Sequence, residues 1–323
     1  MTDTVVFILG YRSLESLREG SLGSLSRAAS RIGAQLVYLD NYGRDGSIEF
    51  VRNHYPEADI LMSPRNLMYC QGLNCGLQYI DRRYRPAYYI LSDADNFVED
   101  DAFEALHRRA VSDASAGIIQ PLVRSRKTAG LLYSCGHRYD EQHFCRPMSA
   151  LPENRSVLDD LPSCSILSTL FRREIFERCG LIEPLFDIYY ESSDISFRAK
   201  KEGFRCVCEP QAVAYHEANP GLDYNSYHLQ YYVHRNLLLF WRLHDLDRFE
   251  SVKAQQEERL HLLQCRHDES EFGLDALAEA VRNGIRDGLR LAQDLDLRTR
   301  RLPRLSEYEK GMPILLHAGG SAS

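Results

Sequence analysis

The strongest constraint on the fold is an alternation in the first third of the chain. Apolar, β-favouring runs occur at 4–9 (TVVFIL), 35–40 (QLVYLD), 59–62 and 88–91 (YYIL), and segments of helical character lie between them. Leu14, Leu17, Leu25, Ala28 and Ile32 follow helical spacing up to a stop at Gly33. A short helix is expected around 48–55, with Pro56 just beyond it, and another at 71–81. Runs that are apolar throughout suit strands covered on both faces, and strands separated by helices build parallel βαβ units. Ligands of such sheets bind beyond the carboxyl ends of the strands.

Two strand ends carry acids. The second run ends in Asp40 and enters a loop of turn formers through Ser47. The 88–91 run ends in Asp93-Ala94-Asp95. In extended chain alternate residues share a side, so both carboxylates can face one ligand. Mg2+ is often held by one or two carboxylates, with substrate phosphates supplying other oxygens. A solvated acidic turn is the plain alternative for so short a motif.

The 323 residues suit one large α/β domain or two modest ones. Net charge is −7 with no basic block, so no nucleic-acid partner is expected. The nine cysteines are scattered without a C-x-x-C pair, which argues against a zinc ribbon or a thioredoxin-type site. With no secretory signal they read as reduced thiols of a cytoplasmic protein. No run of 18 apolar residues predicts a transmembrane helix.

Three stretches then resemble one family. Asp40-Asn41, followed by Asp45-Gly46-Ser47, looks like the D-N-G-S-x-D-G-S segment of family 2 glycosyltransferases of GT-A fold. Asn66, Gly72, Asn74, Gly76 and Leu77 match that family's N-x-G-x-x-x-G-x-N-x-G-L, with Met68 replacing its first glycine. Asp93-Ala94-Asp95 falls where the family carries its D-x-D metal motif. The resemblance implies that Asp40 reads the base of a sugar nucleotide, and that Asn66, Gly72, Asn74 and Asp93 belong to the nucleotide-sugar site. It implies that Asp93 and Asp95 hold a divalent cation, Mn2+ or Mg2+.

The second half extends the likeness. Residues 117–122 read as a strand, and the polar, weakly periodic segment 124–160 as an insertion or mobile loop, with a role on the acceptor side as the sharper alternative. Residues 163–171 lead into a segment similar to the family's helix followed by G-x-x-D-E. Glu191, Asp194, Arg198 and Gly203 match E-D-x-D-L-x-x-R-x-x-x-x-G. On a helix Asp194 and Arg198 stand four apart and can pair. Ser192 replaces the family's second acid, and a hydroxyl cannot accept a proton unaided, which makes Glu191 the expected base. Short strands at 204–208 and 212–215 lead to His216-Glu217, and the resemblance makes His216 a third metal ligand. Residues 224–243 read as an apolar helix, in the core rather than on a membrane surface. Within it Tyr232, Arg235 and Asn236 resemble Y-x-x-R-N, whose Arg would face the diphosphate. Helices at 251–264 and 274–294 should follow, the second similar to the tail of family rhamnosyltransferases, and the Gly/Ala/Ser-rich residues after 312 read as mobile.

The expectation is a GT-A domain over 1–244 and a helical extension over 245–323. The first comprises a nucleotide-sugar half (1–122), the insertion (123–160) and a catalytic half (161–244). The activity implied is inverting, metal-dependent transfer from a dTDP- or UDP-sugar, dTDP-rhamnose foremost, to a glycan, lipid-linked or small-molecule acceptor. The C-terminal helices offer a surface for homo-oligomers. The competing classes are a non-catalytic or weakly active nucleotide-sugar binder, which Ser192 keeps open, and a sugar-phosphate nucleotidyltransferase. The latter is disfavoured because 10–13 (GYRS) lacks a glycine-rich phosphate loop with a following lysine.

Overall fold

The computed structural model describes residues 3–216, 226–269, 274–306 and 314–316. The strands are β1 (Thr4–Gly10), β2 (Gln35–Asp40), β3 (Asp59–Met62), β4 (Tyr88–Asp93), β5 (Phe97–Val98), β6 (Ala116–Ser125), β7 (Leu132–Ser134), β8 (His137–Tyr139), β9 (Cys145–Pro147), β10 (Thr169–Arg172), β11 (Arg205–His216) and β12 (Ile314–Leu316). The helices are α1 (Leu14–Arg18), α2 (Ser21–Arg31), α3 (Ser47–His54), α4 (Met68–Arg83), α5 (Ala102–Ser112), α6 (Arg173–Cys179), α7 (Glu191–Lys201), α8 (Tyr227–His244), α9 (Leu246–Glu269) and α10 (Ala276–Asp294).

The main sheet runs β12-β3-β2-β1-β4-β10-β6-β11-β5, with β7 paired to β6. Strands β3, β2, β1 and β4 are mutually parallel, as the alternation predicts. Strand β10 inserts antiparallel between β4 and β6, and β11 returns parallel to β6. The period of two divides β1 between two cores: Val5, Phe7 and Leu9 join the cluster with Leu73 and Leu77 of α4, whereas Val6 and Ile8 join Leu22 and Leu25 of α2. Helix α4 lies so close to β1 that a Cβ on Gly76 would come within 2.0 Å of the Phe7 ring, so only glycine fits there.

Several expectations change in detail. The helix expected through 14–32 breaks into α1 and α2 at Gly20, which takes φ of +100°. The two short strands after 204 are one strand, β11, with its irregularity between Glu209 and Val213. Pro210, which has no N–H for a ladder, sits in that irregularity. Helix α9 is longer at both ends than 251–264. The expected start of the apolar helix at 224 lies outside the described residues, as do Glu217 and all of the tail beyond 312 except 314–316.

The segment 123–160 is folded rather than loose. Strands β8 and β9 form a hairpin whose Tyr139 packs on Phe240 and Trp241 of α8, at ring distances of 5.7 and 5.2 Å. Trp241 Nε1 donates to the His143 carbonyl at 3.0 Å. Apolar side chains from both C-terminal helices, among them Val252, Leu263, Val281 and Ile285, join the same core as β1 and α4. Gly284 and Gly288 let α10 cross α8 at close range, since Cβ atoms there would meet the carbonyls of Tyr231 and Arg235 at 2.3 and 2.9 Å.

Candidate active site

A cleft of about 460 Å3 opens at the carboxyl ends of the strands. Asp93 and Asp95 from the end of β4, His216 from the end of β11, and Glu191 and Ser192 from the start of α7 all line it. The chain thereby gathers, from positions more than 120 residues apart, four of the expected chemical groups around one space. Its other wall comes from the 123–160 segment through Tyr133, His137, Cys145 and Arg146.

Asp93 is held under tension. Its Oδ1 is buried and has no hydrogen-bond partner. Burial first, and then the neighbouring Asp95, push its carboxyl well above the usual carboxylate range, against a hydrogen bond from the Tyr69 hydroxyl. Asp95 by contrast is open, with 44% of its side chain exposed, and its Oδ2 stands 3.8 Å from His216 Nε2. Among the described residues no three His, Cys, Asp or Glu side chains form a ready-made metal cluster. The donor set nevertheless fits a hard cation in chemistry: a desolvated carboxylate oxygen without a proton donor, an open carboxylate beside it and an imidazole nitrogen.

Glu191 opens α7 and is 8% exposed. Its Oε2 is buried without a hydrogen-bond partner. Burial raises its carboxyl to about 7, with the backbone N–H groups of Glu191 and Ser192 opposing and Asp194 adding to the rise. A carboxylate near neutrality at the edge of a cleft is suited to take a proton in catalysis. Asp194, one turn along, has a structural task. It accepts from Arg198 Nε at 2.9 Å and from His244 Nε2 at 2.8 Å. Burial would raise its carboxyl, but Arg198 and His244 outweigh that and lower it.

The backbone before Glu191 is strained. Asp187, Tyr189 and Tyr190 all take left-handed φ values, of +59°, +64° and +70°, although none is glycine. Asn236 Nδ2 holds this loop by donating to the carbonyls of Phe186, Ile188 and Tyr189 at 2.9, 2.8 and 3.0 Å. Arg235 joins it, donating to the Leu185 carbonyl at 2.9 Å and lying 3.4 Å from the Asp187 carboxylate. Arg235 is buried and does not line the cleft; in this structure its contacts are to the loop that precedes Glu191.

Asp40 lies in a neighbouring pocket of about 440 Å3, which it shares with Asp45, Ser47 and Ser63. It is buried, and its Oδ1 accepts from Gly43 N at 2.7 Å. Burial raises its carboxyl, the Gly43 N–H opposes this, and Asp45 adds to the rise. Asp45 shapes the loop, accepting from Leu14 N at 2.9 Å and from Ser47 Oγ at 2.6 Å. The 66–77 motif residues serve the scaffold. Asn66 Oδ1 accepts from Met68 N at 2.8 Å and turns the chain into α4. Gly72 admits Leu9, whose nearest atom would lie 3.1 Å from an added Cβ. Asn74 exchanges two hydrogen bonds with the backbone of Ile182, at 2.8 and 2.9 Å, and ties α4 to the segment before α7. None of these three lines the cleft or the Asp40 pocket.

The residues that sequence reasoning missed are Tyr69, His137, Arg146 and Asn236. Tyr69 stood inside the matched 66–77 stretch, and Asn236 inside the Y-x-x-R-N likeness. His137 and Arg146 lie in the segment with the weakest periodicity, where nothing local marks them.

The comparisons with known proteins agree with this architecture. Residues 4–233 match the model of the family described as glycosyltransferase like family 2. No protein of curated function matches in sequence. Among solved structures, the chain resembles the mannosyltransferase PcManGT from Pyrobaculum calidifontis, in complex with GDP-Man and Mn2+, at a TM-score of 0.54 and 13% identity over 90% of this chain and 87% of that one. It resembles S. aureus TarS 1-349 in complex with UDP-GlcNAc at 0.52 and 13%, over 90% of each chain. It also resembles GalNAc-T7 with UDP, GalNAc and Mn2+ at 0.59 and 13%, over 91% of this chain but only 56% of that longer one. At such identities the likeness speaks for the fold, a mostly parallel sheet flanked by helices as in GT-A enzymes. With residues 4–233 covered by the family model, the chain belongs to the family 2 glycosyltransferases.

Proposed function

We propose that this glycosyltransferase is inverting and metal-dependent, and that it moves a sugar from a dTDP- or UDP-sugar to an acceptor hydroxyl. The observation that carries the reading is Glu191. It is a buried carboxylate at about 7, with an unpartnered oxygen, in the same cleft as the strand-end acids Asp93 and Asp95. In the proposed step the acceptor hydroxyl gives its proton to Glu191. Its oxygen bonds to the anomeric carbon from the face opposite the diphosphate. The anomeric C–O bond breaks with its electron pair leaving on the nucleoside diphosphate. Ser192 cannot perform the proton transfer, so Glu191 acts alone.

Asp93, Asp95 and His216 would hold the divalent cation, Mn2+ or Mg2+, which when bound offsets the charge of the diphosphate. Asp40 would accept a hydrogen bond from the base, and an imide N–H of uracil or thymine is the complementary donor for a buried carboxylate. The Mn2+, GDP-Man and UDP-GlcNAc seen with the structural relatives support a cation and a nucleotide-sugar donor of this general kind. No helix among the described residues is long and apolar enough to cross a membrane. The nine free cysteines support a cytoplasmic setting.

The test is a panel of dTDP-, UDP- and GDP-sugars followed by thermal shift with and without Mn2+, and by release of nucleoside diphosphate. Stabilisation by a dTDP- or UDP-sugar that needs Mn2+, with diphosphate release that Glu191→Gln abolishes, is expected. Pyrophosphate as the product would indicate nucleotidyl transfer, and binding without any release a non-catalytic binder; either refutes the proposal.

A further inference from the structure

We propose that His137 and Ser165 are the residues that choose the sugar, each binding a hydroxyl of a ring seated beside Glu191. The inference rests on the transferase reading above and deepens it. Both residues line the cleft. His137 Nδ1 and Ser165 Oγ are buried, and neither has a hydrogen-bond partner among the described residues. Ser165 as a whole is 5% exposed. Buried polar atoms are nearly always paired, so two orphans in one cleft mark a place where a ligand supplies the partners. Both side chains turn about their own χ angles and can offer these atoms to the cleft.

The chemistry of this pair is neutral. Burial alone holds the His137 imidazole down to about 4, so near neutral pH it is uncharged and offers one N–H and one lone pair. The Ser165 hydroxyl likewise both donates and accepts. An oxyanion or a cation finds no counter-charge in these two side chains, whereas a hydroxyl, itself donor and acceptor, matches both. The aromatic rings of Tyr133 and Tyr189 line the same cleft and are partly exposed. Flat apolar faces beside a few neutral hydrogen-bonding groups suit the C–H and O–H surfaces of a sugar ring.

The backbone fixes both residues beside the proposed base. His137 N donates to the Ser163 carbonyl at 2.8 Å, and Ser163 stands two residues before Ser165. Ser165 N in turn donates at 2.9 Å to Oε1 of Gln120, a buried side chain of β6. Ser163 Oγ also lies 3.5 Å from Ser193 Oγ, and Ser193 stands two residues beyond Glu191. One chain of contacts therefore joins the hairpin of β8 and β9 to the start of α7. A ring held by its hydroxyls at His137 and Ser165 is positioned for reaction by groups remote from the bond that changes. The transferred sugar and a sugar acceptor share this hydroxyl chemistry, and affinity measurements separate them.

The experiment is calorimetry on the full chain in excess Mn2+, in two arms. The first compares UDP- and dTDP-sugars with UDP and dTDP. The second titrates methyl glycopyranosides of the gluco, galacto, manno and rhamno series with UDP held in excess. His137→Phe keeps a ring and loses both nitrogens, and should weaken sugar binding by about tenfold or more with UDP and dTDP affinity unchanged. His137→Asn, whose amide can reach the place of Nδ1, should restore part of it. Ser165→Ala, which removes a single heavy atom, should weaken the same arm by about three- to tenfold. A loss for sugar nucleotides assigns the pair to the transferred sugar, and a loss for the glycosides assigns it to the acceptor. Parental affinities of His137→Phe and Ser165→Ala in both arms overturn the proposal. So does a parent that binds sugar nucleotides no differently from the bare diphosphates and binds no glycoside. If neither diphosphate binds the parent while glycoside binding persists and depends on His137, the donor reading falls and the sugar site stands.

Discussion

Replacing Glu191 by glutamine should stabilise the protein while removing its activity, and the gain should depend on pH. Burial lifts this carboxyl from the ordinary 4.5 to about 7. A group whose pKa is higher folded than unfolded favours the folded state only while it is protonated. That contribution is complete below about 4.5 and is lost as pH rises through about 7. At about pH 8 the charged parent therefore carries a penalty of roughly 3 kcal/mol, from the difference between the two values at about 1.4 kcal/mol per pH unit. At about pH 5 the same arithmetic leaves roughly 1 kcal/mol. Glutamine keeps the shape and stays neutral, so it escapes both penalties. Urea unfolding of parent and Glu191→Gln at the two pH values measures the gap directly. The variant should be the more stable at both, by about 2 kcal/mol more at the higher pH. Nucleoside diphosphate release should fall by roughly 10²–10⁴-fold in the same variant. A stability gap that does not change with pH would refute the claim that Glu191 is a desolvated base near neutrality. Full turnover by the variant would remove it from the mechanism.

Three further outcomes follow from the geometry. Asp40→Ala should weaken uridine or thymidine diphosphate binding by about 1–3 kcal/mol, the cost of losing a buried charged acceptor, and equal affinities by calorimetry would take Asp40 out of the base pocket. Asp95→Ala, at a side chain that is 44% exposed, should leave the melting temperature of the free protein unchanged and abolish the Mn2+ dependence of donor binding. Calorimetry showing the same donor affinity in Mn2+ and in chelator for parent and variant alike would dismiss the metal assignment. Asn236→Ala strips three loop carbonyls of their donor, so it should cost about 2–4 kcal/mol in denaturant unfolding. It should also slow turnover more than it weakens donor binding; a folded fraction with parental turnover would show that the loop does not aim Glu191.

What could be read ahead of the structure was whatever the backbone pattern itself encodes. Continuous apolar runs reveal parallel strands because both faces of such strands are covered, and a strand's last residue reveals the site because the sheet delivers its carboxyl ends to one edge. The placement of Asp40, Asp93 and Asp95 at the carboxyl ends of strands was legible on those grounds. Arg235 was not, because an arginine's target depends on what folds against it. The three left-handed residues between 187 and 190 expose carbonyls that only a tertiary view shows, and Arg235 and Asn236 answer those carbonyls. The same reason hid His137 and Arg146: their segment pairs in a three-residue hairpin, too short to leave a periodic trace, and gains its order from Trp241 and Phe240 about a hundred residues later. Local pattern thus locates the half of the cleft built at the strand ends. The half built by the 123–160 segment and α8 is specified by contacts between distant parts of the chain. The strand-end half of the cleft is accordingly the part open to sequence reasoning, and the other half rests on packing that only the folded molecule displays.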